Sequence, residues 1–347
     1  MRLIIHLGMG KTGTSSIQAG LRNSSSLLRN QRAIFLGTFL PHVHPRLGSA
    51  KEFDDFSNLA SEEQELVADA LLHHVESLTE YETIVISHEA LFNLGGRIAP
   101  FIERLKRRIE LKLVAYLRDP QDWLRSAYAQ WGIHHKTYGG PVKSLQEVGG
   151  SLLVHYRAIM DWHRLFGDVL EVRAFDKKLD VVQDFASAIG LRINSPKKRV
   201  YVTPEFTESL LRAVYNDSVK TPVRPEVFSR TVINSSVIPV VSLRSFAQMI
   251  ADSSQMADLI AAEKETFEFI EKTFELEGFA NTGNSRDGHN AKAPELDLER
   301  MLDYLVAIVL KQARANQVLE ARVARLEAER NQCPEAPHTS NPSNAGL

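Results

Sequence analysis

A three-layer α/β fold built on a central parallel sheet, followed by a C-terminal helix of coiled-coil character, is the expectation for these 347 residues. Short apolar runs alternate with stretches of helical spacing through about residue 190, the pattern of strands buried on both faces and the helices that cover them. The first apolar run passes through glycine-rich sequence straight into a helix. The end of the chain instead carries a seven-residue apolar repeat.

Residues 3–7 form a short apolar run with adjacent Ile4 and Ile5, bounded by Gly8 and Gly10, and predict the first strand. From Thr14 onward, Ile17, Leu21 and Leu27 follow at helical steps. Ser61-Glu62-Glu63-Gln64 matches a capping box, and Leu66, Val67, Leu71, Leu72 and Val75 after it predict an amphipathic helix. Residues 83–86 predict a strand that ends at Ser87-His88-Glu89. A basic amphipathic stretch at 104–112 leads into another strand at 113–117, which stops at Arg118-Asp119-Pro120. Proline is tolerated in the first turn of a helix, and Trp123, Ala127 and Trp131 continue helical spacing beyond it. A helix at 152–166, a strand at 169–174 and a helix at 181–189, stopped by Gly190, complete the alternation. From about residue 200 the chain reads as mostly helical, with one long segment at 242–274.

Near the C-terminus, Leu302, Leu305, Val309, Gln312, Asn316, Leu319, Val323 and Leu326 fall at alternating three- and four-residue steps. That is the spacing of a coiled-coil seam, in which Gln312 and Asn316 are polar positions that favour one register over maximal stability. A helix folded back on its own domain has the same spacing, so a homo-oligomer through residues 302–326 and packing within one chain both remain open. The organisation expected is an α/β domain with a helical C-terminal part at 1–280, a linker at 281–295, the amphipathic helix at 296–331 and a disordered tail at 332–347.

Composition narrows the function. With 41 Lys and Arg against 43 Asp and Glu, the formal charge is −2, which leaves no basic excess for a nucleic-acid backbone. An anion must therefore find a local site. A lone cysteine, Cys333, excludes an intrachain disulfide and a cysteine-based metal centre, and points to a reducing compartment. No run approaches the 18 apolar residues of a membrane span; the stretch 302–310 is about half that length. The first apolar run is too short for a signal-peptide core. A cytoplasmic, soluble protein is the expectation.

The chemistry concentrates in residues 6–16, His-Leu-Gly-Met-Gly-Lys-Thr-Gly-Thr-Ser-Ser, set between a strand and a helix. Amides at such a helix start, with a lysine and several hydroxyls, make an anion cradle. The nucleotide P-loop needs a glycine five residues before Gly10, where Ile5 stands. Lys11-Thr12-Gly13-Thr14-Ser15 instead resembles the 5′-phosphosulfate loop of sulfotransferases that use 3′-phosphoadenosine 5′-phosphosulfate (PAPS), with Gly10 in place of that family's proline. The second element is Arg118 at a strand end and Ser126 eight residues on, the spacing with which those enzymes hold the 3′-phosphate. Phe166-Gly167-Asp168, Phe175-Asp176, Asp184-Phe185 and Gly190-Leu191 resemble the following strand and helix of bacterial, carbohydrate-sulfotransferase-like members. The resemblance carries clear motifs over residues 2–195 and implies a P-loop-type fold.

The resemblance also implies roles. Lys11 would contact the transferring sulfuryl group and its bridging oxygen. Gly10, Thr12, Gly13, Thr14, Ser15 and Ser16 would line the 5′-phosphate loop, and Arg118 with Ser126 would hold the 3′-phosphate. PAPS would be the co-substrate, a small molecule or glycan the acceptor, and no metal would be needed. Transfer to a hydroxyl also calls for a base. Glu89, just past the second predicted strand, is the first choice, although a carboxylate there also suits a helix start for electrostatic reasons alone. His88 is the alternative. His42 and His44 sit in a loop of the kind that shapes an acceptor site, and His134 and His135 follow the phosphate-binding helix. Two other readings stand beside this one: a P-loop kinase using ATP on a small molecule, and a coiled-coil scaffold that binds a nucleotide without turnover.

Overall fold

A computed structural model describes residues 1–196, 206–217, 219–230, 243–251, 256–276, 278–279 and 298–332. Five strands form one all-parallel sheet: β1 (Arg2–Leu7), β2 (Ala33–Gly37), β3 (Thr83–His88), β4 (Glu110–Arg118) and β5 (Leu170–Phe175), ordered β2-β3-β1-β4-β5. Period-two alternation assigns the strand side chains to two cores. Leu3, Ile5, Leu7, Ile84, Ile86, Leu113 and Leu117 face one, and Ile4, Val85, Val114 and Tyr116 face the other.

Helices cover both faces, which makes the three layers expected. Between β1 and β2 run α1 (Thr14–Asn23) and α2 (Ser25–Arg29). Then come α3 (Ala50–Phe56) and α4 (Ser61–Ser77), and after β3, α5 (Leu91–Leu94) and α6 (Ala99–Arg108). Beyond β4 lie α7 (Pro120–Ala127), a π-helical turn Tyr128–His134, α8 (Leu145–Leu153) and α9 (Ala158–Phe166). After β5, α10 (Val181–Ile189) returns over α1, where Ile17 and Leu21 pack with Val182, Phe185 and Ile189. Helices α11 (Phe206–Asp217), α12 (Pro225–Arg230), α13 (Leu243–Ala251), α14 (Met256–Ala261), α15 (Lys264–Phe274) and α16 (Leu298–Gln332) follow among the described residues.

Several expectations need correction. The strand β2 was not foreseen: Ala33-Ile34-Phe35-Leu36-Gly37 is a sheet edge whose residues, apart from Ala33, are only half-buried, and it lacks a strong β-branched run. The α4 cap is Ala60, not Ser61; the Glu63 side chain accepts from the Ala60 backbone amide, while Gln64 Nε2 donates to the Leu59 and Arg97 carbonyls. Leu66, counted on the apolar face of that helix, is 67% exposed. The helix read at 152–166 is broken by a 3₁₀ turn at Val154–Arg157. The long segment at 242–274 is not one helix, because α14 and α15 are separated by a turn at Ala262 and Glu263. The linker at 281–295 and the tail from 333 lie outside the described residues.

The connections leaving β1 and β4 diverge, one toward β2 and the other toward β5. In open α/β sheets ligands bind outside the strand carboxyl ends at that divergence. The loop after β1 and the ends of β3 and β4 meet there.

Candidate active site

The loop from Gly8 to Gly13 is fixed from below. The Gly8 amide donates to the His88 carbonyl at 3.2 Å, and the Thr12 and Thr14 hydroxyls donate to the Met9 carbonyl at 2.6 and 3.3 Å. Both hydroxyls are therefore spent on bracing the turn, and what Thr12 and Thr14 offer an anion is backbone. Gly13 caps α1 at φ +84°, the left-handed region, and no side chain caps the helix. The Ser16 amide donates to the Gly13 carbonyl at 2.9 Å, and the amides of Thr14 and Ser15 before it are the first-turn donors that an anion could take, with half-buried Ser15 and Ser16 side chains beside them.

Gly10 sits where no side chain fits. A Cβ built there would lie 2.8 Å from Trp131 Cη2 and 2.9 Å from Glu89 Oε1, and the Gly10 carbonyl accepts from Trp123 Nε1 at 2.8 Å. The glycine found where the resembled family has proline is explained by this close approach.

Lys11, Glu89 and Arg118 surround the loop from three adjacent strand ends. Arg118 closes β4 with 6% of its surface exposed. Its Nη1 donates to the Lys11 carbonyl at 3.3 Å, Nη2 lies 3.8 Å from Asp122, the guanidinium stands 5.6 Å from the Phe175 ring centre, and Nε is buried without a partner. Burial first, and the neighbouring Arg118 charge second, hold the Lys11 ammonium below the usual lysine range, with Glu89 opposing both. Glu89, the first residue beyond β3, retains solvent access, yet the surrounding protein pushes its carboxyl up while Lys11 pulls it down. No ion pair within 4 Å joins Lys11 to Glu89 among the described residues, although each side chain feels the other's charge. Ser126, half-buried on α7, lies about two turns along from the start of that helix.

The histidines separate clearly. His88 is the last residue of β3 and points into the aromatic core, 4.3 Å from the Phe53 ring and 4.8 Å from Phe39 between centroids. Its Nδ1 accepts from the Ala90 amide at 3.0 Å, and burial lowers its pKa to about 4. His134, in the π-helical turn, is buried with Nε2 2.9 Å from Ser209 Oγ; burial, then Arg212 and Lys11, lower it to about 4. Half-buried His135 follows it. His42 packs instead against His74 of α4 at 5.3 Å, and His44 Nδ1 accepts from the Arg46 amide. Neither belongs to the cluster around Lys11.

Three aromatic neighbours were missed in sequence. Trp123 anchors the Gly10 carbonyl, Trp131 overhangs Gly10, and His155 stacks on Trp131 at 6.0 Å and 27° while Nδ1 meets Asn93 Oδ1 at 2.8 Å. The signal was present, since Trp123 and Trp131 share a helical face and their rings stand 5.9 Å apart. Nothing in the spacing says that this face lies over the loop. Among the described residues no group of three or more His, Cys, Asp or Glu is arranged to hold a metal ion, and no helix is long and apolar enough to cross a membrane.

No family model matches the chain. An uncharacterized protein of Archaeoglobus fulgidus is 30% identical over 125 residues, 34% of this chain and 32% of that protein, so the match spans about a third of the relative's length. Among solved structures, the chain is similar to a sulfotransferase from Alicyclobacillus acidocaldarius, with 15% identity and a TM-score of 0.32 over 62% of this chain and 94% of the other. It is also similar to a sulfotransferase domain from the curacin biosynthetic pathway, with 14% identity and a TM-score of 0.33 over 73% of this chain and 96% of the other.

Proposed function

We propose that this chain is a sulfotransferase that moves a sulfuryl group from PAPS to an acceptor hydroxyl, with a small molecule or glycan as acceptor, and releases adenosine 3′,5′-bisphosphate. The observation that carries this reading is the convergence of two desolvated cations, Lys11 and Arg118, and one solvent-accessible carboxylate, Glu89, on the uncapped first turn of α1. Two like charges held together out of water destabilise each other until an anion arrives. The buried, partnerless Nε of Arg118 is a donor of the kind a phosphate oxygen satisfies. The residues present therefore fit a ligand carrying two phosphate groups: loop amides with Ser15 and Ser16 for one, Arg118 with Ser126 for the other.

In the reaction, the acceptor oxygen forms a bond to sulfur as the bond from sulfur to the phosphate oxygen breaks. Glu89 takes the hydroxyl proton, a task that its raised carboxyl pKa brings closer to neutrality. Lys11 neutralises charge on the departing oxygen, at the helix start where the dipole also favours anions. Lys11 and Glu89, close enough to feel each other's charge yet not paired, would hold the sulfuryl group and the acceptor between them. His88 suits the base role less well, because its ring faces Phe53 and Phe39 with Nδ1 engaged. Calorimetric titration tests the reading: adenosine 3′,5′-bisphosphate is expected to bind, and tight binding of ATP with magnesium but not of the bisphosphate would return the kinase alternative. With labelled PAPS, Lys11→Ala is expected to abolish transfer and Glu89→Gln to reduce it by about 100-fold or more. A chain that binds the bisphosphate but transfers sulfate to no acceptor would support the scaffold alternative.

A further inference from the structure

Helix α16 leaves its apolar stripe in water. Met301 is buried in the main core and the helix touches α11, yet Leu302, Val309, Leu319, Val323 and Leu326 are each at least 51% exposed. Every residue at 318–329 is exposed. Folding back on its own domain therefore does not account for the repeat beyond the start of the helix.

The residues around the stripe say what covers it. The repeat puts Leu302, Val309, Asn316 and Val323 at heptad position a, and Leu305, Gln312, Leu319 and Leu326 at position d. Valine at a with leucine at d favours two parallel strands, and a single asparagine at a pairs with its own copy only when the strands are parallel and in register. The flanking charges agree. Arg322 is at position g, and Glu320 and Glu327 are at position e. In a parallel pair, position g faces the partner's position e five residues further on, which sets Arg322 against the partner's Glu327 twice over. An antiparallel pair would set e against e and bring glutamates together.

We propose that α16 is a dimerisation helix: residues 302–326 of two copies of this chain pair in parallel and in register as a two-stranded coiled coil, with Asn316 opposite Asn316 and Arg322 opposite the partner's Glu327. Because Met301 ties the start of the helix to the α/β domain, both domains stand at the same end of the coil. This inference is independent of the chemistry proposed at Lys11.

Sedimentation equilibrium of the full chain tests it, with the expected mass twice the 39.0 kDa of one chain. Leu319→Asp with Val323→Asp is expected to give a monomer. Glu327→Arg places like charges together at two symmetric sites and is expected to weaken the dimer by about 10-fold, while Arg322→Glu with Glu327→Arg restores it. Leu326→Cys in a Cys333→Ser background is expected to cross-link on mild oxidation, since facing d positions in a parallel pair lie within disulfide reach. A monomer at high micromolar concentration, a trimer, or a dimer indifferent to the seam substitutions overturns the proposal. A dimer that Leu326→Cys fails to cross-link overturns the parallel arrangement. The charge-swapped double variant keeps the test decisive if the aspartates disturb the helix itself.

Discussion

Replacing Arg118 by methionine separates an anion receptor from a structural strut. The guanidinium is 6% exposed and makes one long hydrogen bond, to the Lys11 carbonyl at 3.3 Å; Asp122 lies beyond hydrogen-bond reach at 3.8 Å, and Nε has no partner. Its backbone carbonyl, which accepts from Tyr156 Oη, is unaffected by the change. Methionine fills most of the same space, keeps the contact with Phe175 and removes a poorly compensated buried charge, so the free protein is expected to gain about 1 kcal/mol, or roughly 2 °C in Tm. Ligand behaviour runs the other way. At a hundredfold excess over its Kd, adenosine 3′,5′-bisphosphate is expected to stabilise the parent protein by about 2.7 kcal/mol, close to 5 °C for a domain of this size. Loss of a desolvated charge pair with phosphate costs about 2–5 kcal/mol, and about 2.7 kcal/mol within that range is 100-fold in Kd. At the same ligand concentration the variant is then stabilised by only about 0.4 kcal/mol, a shift below 1 °C. Differential scanning calorimetry with and without the bisphosphate reads both effects. A variant that melts several degrees lower alone, yet keeps the full ligand shift, would refute the anion-site reasoning.

Acidification should destabilise the fold in a defined window. His88 and His134, lowered to about 4, and His6, lowered to about 3, are buried neutral, so their contribution is fully present above the unfolded value near 6.5 and is lost as pH falls toward the folded values. His88 alone accounts for roughly 3 kcal/mol between pH 6.5 and 4, and urea midpoints that stay flat over that range would contradict the buried geometry. Glu89 has the opposite sign: with its carboxyl raised, Glu89→Gln is expected to leave the fold no less stable at neutral pH while removing the acidic limb of the transfer rate. Gly10→Ala is expected to cost about 1–3 kcal/mol through its clash with Trp131 and Glu89, and a cycle with Trp131→Ala to show coupling of about 1 kcal/mol; additivity would deny the contact. Buried Lys136 donates to the carbonyls of Gly140, Asn216 and Val219, so Lys136→Met should cost about 3 kcal/mol and open that segment to proteolysis.

Legibility in sequence followed the reach of the forces involved. Strand β1, strand β3, the core of β4 and helix α10 were readable because burial on both faces demands continuous apolar runs, and because Gly190, at φ +69°, ends α10 as left-handed glycines do. The edge strand β2 was not, since half-burial removes that demand. Within the candidate site, Lys11 and Arg118 were legible through the motifs that resemble the phosphosulfate loop and the 3′-phosphate pair, and Glu89 as a carboxylate shortly beyond an apolar run. The orientations of the Thr12 and Thr14 hydroxyls were not. Each is decided by a hydrogen bond to the Met9 carbonyl, and no pattern of residue types encodes that. Trp131 escaped for a different reason: its face was readable, but the target of that face depends on how the turn Tyr128–His134 docks over β1 and β3.

Sheet register explains how Lys11, Glu89 and Arg118 come to the same strand ends. Inside the strands, alternation sends His6 and Ser87 to one face, where Nδ1 and Oγ meet at 2.8 Å, and the Gln18 amide binds the Ser87 carbonyl. It sends His88 to the other face among phenylalanines. Polar side chains within β1 and β3 are thus turned sideways into the two cores, leaving the carboxyl ends to residues at or just past the strand limits. Arg118 is the last residue of β4, Glu89 the first after β3, and Lys11 the fourth after β1. Because β3, β1 and β4 are consecutive neighbours spaced about 4.8 Å apart, those ends fall within about 10 Å of one another. A one-residue shift of β4 would turn Arg118 away from Lys11 and expose Leu117 in its place, so the proposed anion site and the hydrophobic core depend on the same register.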